Sequence, residues 1–162
     1  MTENYQQQLE DGLEYQDFIV DALRKMQPAI IVMPYSSRKY QHEMGEGATG
    51  IEIKHDKKYE KGSPNLYIEV EEKSNGDMPD FTPSGIYRDD NSWLYLIGGY
   101  KDAYLFSKHQ LQRIYERTDL WKDREIFESW AYTDGKKTSH GFCYPVKKAE
   151  ELGSVLKHFV FA

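Results

Sequence analysis

One cysteine, Cys143, stands among the 162 residues. The chain therefore has no partner for an intramolecular disulfide and no thiolate cluster for zinc. Long apolar runs are missing too. None approaches the ~18 residues that a membrane span needs, and MTENYQQQLEDG at the start has neither the basic nor the apolar part of a secretory leader. A cytoplasmic protein with no membrane partner is expected. The histidines (His42, His55, His109, His140, His158) are scattered, at spacings that are not those of zinc ligands. GEGATG at 45–50 lacks the Gly-Lys-Ser/Thr of a phosphate-binding loop and precedes a strand. Ser36, Ser37 and Cys143 have no base beside them, so no nucleophilic triad is indicated. Basic charge is also short: 27 Asp and Glu against 21 Lys and Arg leave a net charge of −6, which argues against a simple basic nucleic-acid binder.

What remains is the composition of one globular unit. Residues 39% hydrophobic and 14% aromatic suffice for a sizeable core, and residues 1–162 read as a single domain. Residues 7–26 have helical periodicity, with Leu9, Leu13, Val20 and Leu23 on one face, widened by Tyr15, Ile19 and Met26. Pro28 ends the helix. AIIVMPY at 29–35 reads as a strand and 36–50 as a loop. GIEIKHD at 50–56 and NLYIEVEEK at 65–73 alternate apolar and charged residues, and 57–64 between them is a plausible hairpin connection.

SWLYLIGG at 92–99 and AYLFS at 103–107 predict two buried strands, with Trp93, Tyr95 and Tyr104 as core or sheet-face residues. Ser107 then caps a helix carrying Leu111, Ile114 and Tyr115. SWAYTD and GFCYPV read as late strands and AEELGSVLKH as a last short helix. The fold class is α+β (α/β): a central mixed sheet of about five strands flanked by helices.

Chemistry concentrates in Ile51-Glu52-Ile53-Lys54. In a strand, alternate residues share a face, so Glu52 and Lys54 stand side by side opposite Ile51 and Ile53. A carboxylate beside an ammonium suits metal-assisted phosphodiester hydrolysis, the acid holding Mg²⁺ and the lysine stabilising the charged transition state. One carboxylate holds Mg²⁺ weakly, so further acids are sought. Glu46, between two glycines, is the first, with Glu43 as substitute. Glu69 in the next strand is another, brought near Glu52 and Lys54 by a hairpin through 57–64. Glu71-Glu72-Lys73 is a second, weaker Glu-x-Lys. Gln16, on the apolar face of the first helix, would hydrogen-bond a site carboxylate or a metal's water, with Asp17 as the charged alternative.

A helix with Gly12-x-x-Tyr15-Gln16-x-Phe18, an upstream acid, and then Ile51-Glu52-Ile53-Lys54 resembles the PD-(D/E)XK nuclease superfamily. GEGATGIEIKHD, NLYIEVEEKS, SGIYRDDNSWLYLIGG and AYLFSKHQL are similar to segments of its phage and bacterial members, over about residues 10–115. The resemblance implies a restriction-endonuclease-like core and a nuclease dependent on Mg²⁺ or Mn²⁺, with DNA as partner. Glu46 would be the first-motif acid, and Glu52 and Lys54 the second motif. The Ile53 carbonyl would be a further metal ligand, with Glu69 and Gln16 assisting. Here Glu replaces the Asp of the first motif, no Pro-Asp is present, and Gln16 stands where many members have Glu.

DNA contact would fall to Arg38, Lys39, Lys57, Lys58, Lys61, Lys136, Lys137, Lys147 and Lys148, aided by a homodimer or by a partner protein. Two other classes stay open. One is a catalytically inactive nuclease-like fold acting as a phage or mobile-element binding protein. The other is an acidic protein that mimics DNA, which requires acids spread over one surface.

Overall fold

The computed structural model describes residues 3–26 and 50–161. The expected strand at 29–35, the loop after it, and the candidates Glu43 and Glu46 lie outside these residues. The described part is α+β, built from two four-stranded sheets and helices packed on them. Helix α1 (Glu3–Met26) leads to β1 (Ile51–His55), short α2 (Lys57–Glu60), β2 (Asn65–Glu72), β3 (Thr82–Pro83), β4 (Leu94–Gly98) and β5 (Asp102–Ser107). Then come α3 (Lys108–Glu116), β6 (Phe127–Thr133), β7 (Lys136–Pro145), α4 (Val146–Glu151) and β8 (Lys157–Val160), with 3₁₀ turns at Gly85–Tyr87 and Thr118–Leu120.

The strands divide where one sheet of about five was expected. The first sheet runs β1-β4-β5-β8 and is mixed, β1 being parallel to β4. The second runs β3-β2-β7-β6 and is antiparallel throughout. β1 and β2 therefore do not form the expected hairpin. Asp56 is the physical reason: its Oδ1 accepts the amides of Lys58 and Tyr59, both at 3.0 Å, and so starts a helix where a hairpin turn was anticipated. Its Oδ2 accepts the Tyr67 amide at 2.8 Å and anchors the start of β2 instead.

Alternation along β1 settles its two faces as expected. Ile51 and Ile53 join Tyr15, Ile19, Val20 and Leu23 of α1 in one core, with Leu96, Ala103 and Phe159. The stripe of α1 that is buried is narrower than the sequence reading: Leu13 and Met26 are exposed, while Tyr15, Ile19, Val20, Leu23 and, as expected, Gln16 are buried. Tyr15 anchors the stripe, since its ring stacks on His55 at 4.5 Å between centroids and its hydroxyl donates to the Gly99 carbonyl at 3.3 Å.

The opposite face of the first sheet carries Tyr95, Ile97, Tyr104 and Phe106, which pack with Leu66, Ile68, Val70, Phe142 and Tyr144 of the second sheet and Leu111 and Ile114 of α3. Glu52 pairs with Tyr95 in the ladder and shares this covered face.

Other expectations are corrected at the margins. The helix foreseen over AEELGSVLKH ends at Glu151, and Lys157–Val160 adds to β5 as an edge strand. Trp93 lies just before β4 and is 63% exposed, unlike the buried Tyr95 and Tyr104. Asp134-Gly135, with φ of +52° and +75°, turns β6 directly into β7, the two-residue geometry that favours Asp-Gly. Among the described residues no helix is long and apolar enough to cross a membrane.

Candidate functional site

β1 and the start of α3 converge on Glu52, and the second sheet joins them through Glu69 and Lys54. Its carboxylate is 0% exposed, and each oxygen faces an ammonium: Lys54 Nζ at 3.3 Å from Oε1 and Lys108 Nζ at 3.1 Å from Oε2. Neither oxygen takes a hydrogen bond of good geometry among the described residues. Lys54 also reaches Glu69, 3.6 Å away in the other sheet. The convergence expected of Glu52, Lys54 and Glu69 is therefore present, although strand pairing does not produce it. Packing of one sheet on the other does.

Glu69 is held firmly. Its Oε1 accepts from Ser84 Oγ and its Oε2 from Ser139 Oγ, each at 2.8 Å, and Tyr67 meets the same serine at 2.7 Å. Burial pushes the Glu69 carboxyl up, but the Lys54 ammonium, the two serine hydroxyls and Arg88 outweigh it and hold the group below its ordinary value. Gly85, at φ +51°, makes this approach possible, because a Cβ there would lie 2.2 Å from the Glu69 carbonyl oxygen. A bulge between Glu69 and Glu71 then redirects the strand.

Glu71 meets His140 at 2.9 Å, Glu72 meets Arg88 at 3.4 Å, and Lys73 lies over the Phe81 ring. The second Glu-x-Lys is thus dispersed and forms no site.

A carboxylate held below its ordinary value stabilises the fold above that value, and the contribution is lost as the pH falls through the lowered one. The melting temperature of the wild type should therefore drop more steeply below pH 4.5, the ordinary glutamate value, than that of Glu69→Gln. Calorimetric scans from pH 6 to pH 2.5 check this; parallel curves would show that Glu69 is not so held.

Lys54 and Glu69 border a cavity of about 590 Å³, lined also by Gln16, Ile53, Tyr67, Arg88, Lys57 and Lys58. Gln16 thus reaches the site as expected, while Asp17 is exposed. Lys57 pairs with Asp11. Of the later basic residues, Lys136 pairs with Asp77 and Lys148 with Glu125 at 3.2 Å, while Lys137 lies over Trp130, which lines the cavity. Burial pushes the Cys143 thiol up, which disfavours a thiolate nucleophile.

Sequence reasoning missed Lys108, Asp90 and Ser92. Lys108 is buried at the first turn of α3 and touches Asp90 Oδ1 at 3.3 Å and Ser92 Oγ at 2.7 Å besides Glu52. Asp90 also accepts the Ser92 amide at 2.8 Å, closing a tight turn. A signal was present: a lysine directly after an N-cap serine opposes the helix dipole, which favours acids there.

Among the described residues, three acids, Glu52, Glu69 and Asp90, are tied together by two lysines, Lys54 and Lys108, and the Arg88 charge also reaches Glu69. The buried, hydrogen-bond-orphaned oxygens of Glu52 are hard donors of the kind that Mg²⁺ and Mn²⁺ take. Among the described residues no group of three or more His, Cys, Asp or Glu stands together to hold a metal. Comparison of the chain with family models, with curated proteins and with solved structures found no match.

Proposed function

We propose that this chain is a divalent-metal-dependent nuclease that hydrolyses DNA phosphodiester bonds, with a restriction-endonuclease-like core. The observation carrying the proposal is Lys54. Its ammonium stands between Glu52 and Glu69, contributed by different sheets, on the wall of an open cavity. Mg²⁺ or Mn²⁺ would be held by Glu52 with Glu46 and the Ile53 carbonyl. When bound, such an ion supplies Lewis acidity toward a phosphoryl oxygen.

The chain's own residues do the rest. Lys54 orients the attacking water and stabilises charge that develops on the phosphoryl group. Glu69, tied to Ser84 and Ser139, keeps that ammonium aimed. Gln16 offers an amide from the helix side of the cavity. Acids that converge on a lysine also differ from the dispersed surface that mimicry of DNA requires.

Cleavage of single- and double-stranded DNA with Mg²⁺ or Mn²⁺ tests the reading. Wild-type cleavage is expected, and Glu52→Gln is expected to abolish it; cleavage that survives the substitution removes the assignment. A specific observation favours a second reading, a nuclease-like fold used only for binding as a phage or mobile-element accessory protein: both Glu52 oxygens already face ammonium groups. Calorimetric titration separates the two, since the inert version takes up no Mn²⁺ at millimolar concentration.

A further inference from the structure

We infer that His140 is a proton-operated clasp on the second sheet, closed while its imidazole is charged and loosened when it is neutral. The clasp lies apart from the nuclease reading and needs neither metal nor DNA. His140 sits on β7, between β2 and β6. Its side chain is 9% exposed, and each ring nitrogen meets a carboxylate. Nδ1 lies 2.9 Å from Glu71 of β2, and Nε2 lies 2.9 Å from Glu128 of β6.

Only the imidazolium carries a proton on both nitrogens. In that form one buried side chain donates to both acids and ties three strands together through charge-assisted hydrogen bonds. The neutral ring keeps a single N–H and turns a bare nitrogen toward the other carboxylate, acceptor against acceptor. Histidine is the side chain that makes this change near neutral pH.

Neighbouring rings fix the imidazole in place. It stacks on Trp130 of β6, with centroids 4.0 Å apart, and meets the Tyr115 ring of α3 edge-on at 6.5 Å. Among the described residues, the titratable or charged groups facing it are Glu71, Glu128 and Tyr115, while Lys137 lies over the Trp130 ring. Burial, and then the same two acids, push the Tyr115 hydroxyl above its ordinary value, so it stays protonated where a histidine titrates.

Glu128 is the freer acid, 59% exposed against 37% for Glu71, and it stands on the edge strand. Loss of the proton therefore loosens β6. That strand brings Ala131 to the 590 Å³ cavity and to a second of about 420 Å³, which Tyr132 and Thr133 also line. The clasp thus sets how firmly a shared cavity wall is held.

Amide hydrogen exchange of the full chain, corrected for the base-catalysed intrinsic rate, tests the clasp at about pH 5.5 and about pH 8.5. The β6 amides are expected to exchange about tenfold faster at the higher pH, the weight of one charge-assisted hydrogen bond. Glu128→Gln is expected to remove that difference, because its amide can accept from an N–H or donate to a bare nitrogen. The exposure of Glu128 leaves the variant folded. Equal wild-type protection at both pH values, or the same difference in the variant, overturns the inference. Nitrogen-15 spectra at about pH 5.5 give a direct reading: protons on both His140 ring nitrogens support the clasp, and a single N–H overturns it.

Discussion

Lys54→Met is expected to lower metal-dependent DNA cleavage by about 10²–10³-fold, the usual effect of deleting one group that stabilises transition-state charge, while leaving the fold standing. The reason is the arrangement of its neighbours. Without Lys54, Glu52 keeps Lys108 at 3.1 Å and Glu69 keeps the hydroxyls of Ser84 and Ser139. Both acids retain partners, so the fold stands, although Glu69 loses the charge that does most to hold its carboxyl down. The cavity, however, loses the ammonium that borders it. Single-turnover cleavage rates, measured beside thermal melts, check both halves. A rate within a few-fold of wild type would remove Lys54 from the chemistry, and collapse of the fold would show its role to be structural.

The same deletion at Lys108 should act in the opposite proportion. Among the described residues, Lys108→Met leaves Asp90 with no lysine and Glu52 with one ammonium instead of two, all in buried surroundings. Breaking a buried ion pair by removing one partner costs about 3–5 kcal/mol, or roughly 6–20 °C in melting temperature for a domain of this size. Adding Asp90→Asn should return part of that loss, because the second change removes the charge that the first left unpaired. Denaturant unfolding of both single variants and the double variant measures this coupling. Additive losses would show that Lys108 and Asp90 do not interact as their 3.3 Å separation indicates.

Much of the site was legible from local pattern. Period-two alternation placed Glu52 beside Lys54, and the apolar stripe of α1 brought Gln16 to the cavity. Periodicity could not show that Leu13 and Met26 stay exposed, or that Tyr15 meets His55 and Gly99 across the first sheet. Nor could it distinguish strands of one sheet from strands of two. β1 and β2 read as neighbours because each alternates and a turn-rich segment joins them, yet Asp56 uses that segment to start a helix. Glu71 shows the same limit: its spacing to Lys73 suggested a second Glu-x-Lys, but past the bulge after Glu69 it meets His140.

The order of residues by itself determined the α+β class, most strand positions, and the pairing of an acid with a lysine on one face of β1. Each follows from backbone periodicity, which acts over a few residues. Tertiary structure alone decided that Glu69 comes to Lys54 from a second sheet, that Glu52 is wholly enclosed, and that Lys108 and Asp90 complete the charge cluster. Those contacts join residues 15–56 positions apart, and burial of charge depends on which faces pack together, a property that no short stretch of chain contains.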